Sequence, residues 1–190
     1  ADLVLVHEWN EPELVEAIGA HRRSRDGMAD YDYRLLFHDT HHRCVTAPEE
    51  MQRYNLRDYD GVLAFGDRIR DYYLKQRLTG AAWTWQEAAD TRRFVPLRAD
   101  HAAEDLVWIG NWGDEERTEE LREFIMEPVT RAKLSGTAYG VRYPADGVAA
   151  FRKAGISYRG WLPNYEVPQT FARHAFTVHV PRRPYLEALP

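Results

Sequence analysis

The chain has 190 residues, of which 44% are hydrophobic and 29% charged, a balance that excludes a disordered tail. With 25 Lys and Arg against 30 Asp and Glu the net charge is −5, so a nucleic-acid partner is not expected. No apolar run approaches the roughly 20 residues that span a bilayer, and the lone Cys44 excludes an internal disulfide framework and points to the cytoplasm.

The elements follow from short apolar runs that alternate with helical patterns. Leu3–Val6 reads as the first strand. Asn10 and Glu13 form an Asn-x-x-Glu start signal around Pro12, and Leu14, Val15 and Ile18 then share one helix face. Arg34–Phe37 is the second strand, followed by a capping box, Thr46 with Glu49, around Pro48. Gly61–Phe65 is the third, and Ile69, Tyr72 and Tyr73 make a stripe behind Gly66. Ala82–Trp85 is the fourth, with Trp83 and Trp85 two apart and so on one face. An Ala-rich, charged segment without apolar period, residues 96–105, follows.

The same alternation then resumes. Asp105–Ile109 is a strand, and Leu121, Phe124, Ile125 and Val129 form a helix stripe after the acidic run Asp114–Glu120, where the helix dipole favours negative charge. Gly136–Val141, Ile156–Tyr158 and Phe176–Val180 complete the strands. The runs rarely alternate polar with apolar, as expected of strands covered on both faces by helices. The fold class is therefore α/β, two partial Rossmann-like units with mainly parallel sheets. Residues 1–97 form the first unit, 98–104 a linker and 105–190 the second. Each is small for a doubly wound domain. The chain opens almost on a strand and ends in a Pro-rich turn, so a piece of something larger is expected, with exposed sheet edges that invite a homo-oligomer.

Ligands of open parallel sheets bind at the carboxyl ends of the strands. The richest such segment is His38-Asp39-Thr40-His41-His42-Arg43. Three readings compete there: a metal site built on His38, His41 and His42, a general base or substrate clamp in which Asp39 supports His38, and a solvated loop. The loop Gly110-Asn111-Trp112-Gly113 leads into a helix whose amides could hold a phosphate, or it is simply a tight turn that needs glycine. Arg142, in the next such loop, suits a diphosphate. Two Asp-x-Asp triplets, at 30–32 and 58–60, precede strands and so lie at the wrong end for a metal-bound substrate. The many tryptophans stack on sugars in some sites and pack cores in most.

Together, the segments His38–Arg43, Tyr59–Gly66, Trp83–Asp90, Trp108–Asp114, Tyr139–Pro144 and Gly160–Asn164 resemble bacterial glycosyltransferases of the CgeB-like, spore-maturation-protein type. The resemblance covers nearly the whole chain. It implies a GT-B fold, with an acceptor-side first domain and a donor-side second domain facing a cleft. It implies metal-independent transfer of a sugar from a nucleoside diphosphate to an unknown acceptor, with retention favoured and no cofactor. His38 and Asp39 are the implied catalytic pair. Gly110, Asn111, Gly113 and Arg142 are implied at the donor phosphates, and Gly160, Trp161, Leu162 and Pro163 at the nucleotide. The family's N-terminal Gly-rich loop and its Glu-bearing donor helix are not found, so weak activity or none is expected of this chain. The rivals are a metal-dependent hydrolase on His38, His41 and His42, and a nucleotide- or sugar-binding module without turnover.

Overall fold

A computed structural model describes residues 2–25, 33–97 and 103–188. It divides into two compact units, Ala1–Ala88 with Pro184–Pro190, and Ala89–Arg183. Residues 98–102 of the expected linker lie outside the described residues, as does the Asp-x-Asp triplet at 30–32. Residues 184–190, read from the sequence as part of the second unit, group with the first.

The first unit holds strands β1 (Leu3–His7), β2 (Arg34–Asp39), β3 (Gly61–Ala64) and β4 (Ala82–Thr84). All pair in parallel in the order β1-β2-β3-β4. The connections are α1 (Pro12–Ser24), the short α2 (Arg43–Thr46) and α3 (Pro48–Met51), and α4 (Asp67–Lys75). Strands laid down in sequence order by right-handed crossovers keep their helices on one face. That face is the core: Val6, Leu35, Phe37, Val62 and Ala64 pack with Val15, Met51, Ile69 and Tyr73. The other face carries Leu3, Leu5 and Trp83, each 44–51% exposed. Coverage on both faces, expected from the apolar runs, is therefore corrected for this sheet.

Asn10 does not cap α1. The helix begins at Pro12, and the Asn10 amide donates to the His7 carbonyl (2.8 Å), closing the turn after β1. Thr46 likewise ends α2 instead of starting α3.

The second unit holds β5 (Glu104–Ile109), β6 (Gly136–Tyr139), β7 (Ile156–Tyr158) and β8 (His174–Thr177), parallel and ordered β7-β6-β5-β8. The order reverses at β5, so right-handed crossovers place α8 (Val167–Ala172) opposite α5 (Thr118–Leu121), α6 (Glu127–Ala132) and α7 (Ala145–Lys153). A wider helical turn, Arg122–Met126, joins α5 to α6. Leu121, Ile125 and Val129 of the expected stripe are buried, but Phe124 is exposed. The last strand lies two residues earlier than its apolar run, because Val180 leaves the sheet to join the core. The short helix α9 (Arg183–Ala188) follows.

Candidate functional site

The carboxyl ends of β1 and β2 gather the titratable groups of the first unit. Asp39 ends β2 fully buried. The Tyr73 hydroxyl donates to its Oδ2 (2.7 Å) and the His41 amide to its Oδ1 (2.9 Å). Arg43 on α2 stands 3.9 Å from Asp39 and 4.0 Å from Glu8, a second buried carboxylate just beyond β1. Arg43 also donates to the Tyr54 hydroxyl (3.2 Å), which donates to the Glu8 carbonyl (2.8 Å). Thr40 donates to Glu8 Oε1 (3.0 Å), and His7 Nδ1 pairs with Glu8 Oε2. Two acids thus share one buried guanidinium. Burial and the neighbouring Asp39 push the Glu8 carboxyl up to about 7, and burial raises Asp39 above the usual carboxylate range.

Asp39 does not support His38. Successive strand residues point to opposite faces, so Asp39 faces the core while His38 faces the open side. The His38 ring lies 5.0 Å from Trp85 and edge-on to His7 at 5.1 Å, and its Nε2 makes no hydrogen bond. Register explains the grouping: His7 is paired with His38, His38 with Leu63, and Leu63 with Trp83 across the sheet. A cavity of about 620 Å³ opens there, lined by Leu5, His7, His38, Trp85, Gln86 and Glu87. Sequence reasoning missed His7 and Glu8. Their mutual contact forms only where β1 ends, which strand periodicity does not encode.

The His38, His41 and His42 ligand set is not assembled. His42 shares a hydrogen bond with the Thr46 hydroxyl (3.0 Å) and meets the Tyr185 ring edge-on, while His38 packs on Trp85. No group of three His, Cys, Asp or Glu side chains fit to hold a metal occurs among the described residues. Asp58 and Asp60 are held by arginines at the amino end of β3: Asp58 by Arg23 (2.7 Å), Asp60 by Arg22 and Arg34 (3.3 Å each).

The strand ends of the second unit are built from backbone and aromatic groups. The Gly110 amide donates to the Tyr139 carbonyl (2.9 Å) and the Gly140 amide to Gly160 (2.8 Å), drawing the β5, β6 and β7 loops together. Gly140 has φ +149°, and a Cβ there would overlap the Gly110 carbonyl oxygen. The Asn111 carboxamide accepts from the Val141 amide (3.1 Å), and the Tyr143 hydroxyl donates to the Gly110 carbonyl (2.8 Å). Gly113, at φ +82°, turns the chain into Asp114–Glu116. That turn sets three carboxylates beside the loop, which weakens the expected phosphate cradle.

Arg117, which the sequence did not single out, is buried behind this loop. It donates to the Val180 carbonyl (3.0 Å) and to the carbonyls of Asn111 and Trp112. It thereby ties the loop after β5 to the segment after β8, where the strand order reverses and open α/β sheets place ligands. Burial lowers the proton affinity of Arg117 and the nearby Arg182 lowers it further; Arg182 itself pairs with Glu116 at 3.1 Å. Arg142 (φ +60°) is exposed, and so is Trp161, while Leu162 and Pro163 are half-buried. The structure thus brings Gly110, Asn111, Gly140 and Gly160 together.

No protein-family model matches the chain, and no curated protein does; the CgeB-like resemblance gains no support from either. Solved structures do match. An alpha-glucosyltransferase in complex with UDP-glucose and DNA containing an abasic site is 12% identical, at TM-score 0.52, over 93% of this chain and 52% of that one. One in complex with UDP and a 13-mer DNA containing an HMU base is 11% identical, at TM-score 0.54, over 93% and 52%. One in complex with UDP is 12% identical, at TM-score 0.52, over 93% and 54%. The chain spans about half the length of these neighbours. At such identity the likeness establishes the fold, α/β with two parallel sheets of the GT-B type. It also corrects the exclusion of nucleic acid drawn from net charge, because proteins of this fold are in complex with DNA. No helix among the described residues is long and apolar enough to cross a membrane.

Proposed function

We propose that the chain belongs to a glycosyltransferase that moves a sugar from a nucleoside diphosphate to a hydroxyl acceptor. The observation that carries this is the shared fold: two parallel sheets matching, over 93% of the chain, alpha-glucosyltransferases that hold UDP or UDP-glucose. Gly110, Asn111, Gly113 and Arg142 meet the diphosphate. Gly160, Trp161, Leu162 and Pro163 meet the nucleoside. His38 lines the acceptor side with its free Nε2. Preorganised amides and Arg142 offset the charge that develops on the departing diphosphate, and transfer needs no metal.

Calorimetry with UDP-, GDP- and dTDP-sugars tests donor binding. A transfer assay with EDTA present follows, using simple alcohols, sugars and hydroxymethylated DNA as acceptors. Binding of one donor and transfer in EDTA are expected. Absence of binding by every donor overturns the reading, and binding with no single-turnover transfer favours a binding module. The anomeric configuration of the product reads the stereochemistry.

A further inference from the structure

The amino end of the first sheet gathers arginines that have no part in the strand-end chemistry. Two loops meet there: residues 52–57, which lead from α3 toward β3, and residues 77–80, which lead from α4 to β4. A hollow of about 490 Å³ opens between them, and Arg53, Arg57 and Arg77 line it with Gln52, Thr79 and Gly80. No Asp or Glu is among its lining residues. The chain as a whole carries −5, so three guanidiniums around one hollow without a carboxylate run against its average charge.

The walls of the hollow are anchored. Exposure alternates along the first loop: Tyr54 and Leu56 are buried, while Arg53, Asn55 and Arg57 are exposed. The hydroxyls of Tyr54 and Tyr59 donate to the carbonyls of Glu8 and Val15 (2.8 Å each). The Asn55 carboxamide donates to Glu16 (2.7 Å) and accepts from the Arg57 amide (3.3 Å). In the second loop the Leu78 amide donates to the Tyr73 carbonyl (3.0 Å), and the Thr79 hydroxyl to the Ala81 carbonyl (3.1 Å). A Cβ at Gly80 would meet nothing within 4 Å, so the space beside it is open.

The cations are uncommitted. Among the described residues the side chains of Arg53 and Arg77 make no hydrogen bond or ion pair. Arg57 has only Asp58, 3.9 Å away, and Arg23 already holds both oxygens of Asp58 (2.9 and 2.7 Å). The other arginines at this end, Arg22 and Arg34, are paired with Asp60. An arginine kept to finish a helix bonds the last carbonyls of that helix, and none of the three does so. Guanidinium forks match phosphoryl oxygens in pairs and stay charged at any working pH. Three of them in one hollow of small-ligand size call for more than one phosphoryl group.

We propose that this hollow binds a ligand with two or three linked phosphoryl groups, held by Arg53, Arg57 and Arg77. It lies before β3 and β4, at the opposite end of the first sheet from His38, and it does not depend on the transferase reading.

Calorimetry of the full chain with sodium tripolyphosphate at low salt tests this. Saturable binding of one ligand is expected, weakened about tenfold by each of Arg53→Gln, Arg57→Gln and Arg77→Gly. Glycine suits the φ of +54° at position 77, so Arg77→Gly separates lost binding from lost folding. Arg152→Gln, which removes an exposed arginine of α7, should bind as the parent does. Absence of saturable binding overturns the proposal. Equal weakening by Arg152→Gln overturns it too, since the attraction is then diffuse. Binding lost in Arg142→Ala and kept in Arg77→Gly places the anion at the donor loop and overturns it as well. Adenosine triphosphate, titrated in the same way, tells the sources apart. Binding through the same arginines supports a nucleotide, and binding of tripolyphosphate alone supports a free polyphosphate. A short DNA strand that needs these arginines, with no binding of tripolyphosphate, overturns a compact site.

Discussion

The two sets of strand ends are made of different chemistry. In the first unit they hold buried acids, an arginine and imidazoles: Glu8, Asp39, Arg43, His7 and His38. In the second they hold glycines, carbonyls and aromatic hydroxyls, with the buried Arg117 beneath the loop. Groups whose proton affinity is displaced by burial serve proton transfer. A loop held rigid by backbone hydrogen bonds serves placement of a ligand. On the proposed function the contrast would correspond to an acceptor-activating end and a donor-holding end, and four perturbations separate them.

Arg117→Ala strikes the second unit hardest. It strands the carbonyls of Asn111, Trp112 and Val180 and should cost about 3 kcal/mol. Chemical denaturation followed by tryptophan fluorescence reads it, and a loss under about 1 kcal/mol breaks the claim that this loop is tied through Arg117.

Glu8→Gln tests the first unit through pH. A carboxyl raised to about 7 from 4.5 binds its proton more tightly when folded. Stability therefore falls as pH rises from 4.5 to 7, by about 3 kcal/mol at most, and is level above that. Asp39 acts in the same direction, while His7, depressed from 6.5, opposes it by losing stability as pH falls below that value. Thermal melts across this window should show Glu8→Gln with a flatter profile than the parent. An unchanged slope contradicts a buried, proton-holding Glu8.

Tyr73→Phe removes the hydroxyl donor from Asp39 and should cost about 2 kcal/mol in denaturant melts. Arg142→Ala is the mildest. The side chain is exposed and makes no hydrogen bond or ion pair among the described residues, so stability should stay within about 0.5 kcal/mol. UDP-glucose binding by calorimetry should nevertheless weaken about tenfold, the size of one lost charge-assisted contact. Equal affinity would remove Arg142 from the donor end.

Much of the fold is legible because buried parallel strands advertise themselves. Each of the eight apolar runs lies on or beside a strand, and the helix stripes of Ile69 with Tyr73, and of Leu121 with Ile125, are buried as read. The site was less legible. Adjacency of His38 and Asp39 suggests a pair, but strand alternation, itself readable, sends them to opposite faces. His7 and Glu8 meet only because the strand stops between them. Arg117 is one of 25 Lys and Arg residues, and nothing local marks it as the buried one. Net charge was no ground for excluding nucleic acid, because it is a property of the whole chain, whereas binding depends on where the charges stand.

The most direct test is amide NMR of the full chain titrated with UDP-glucose. Shifts confined to Gly110–Gly113, Arg142 and Gly160–Pro163, with the His7 and His38 amides responding to acceptor and not to UDP, are expected. Shifts from UDP centred on His7 and His38, or none anywhere, would contradict the division between the two strand ends.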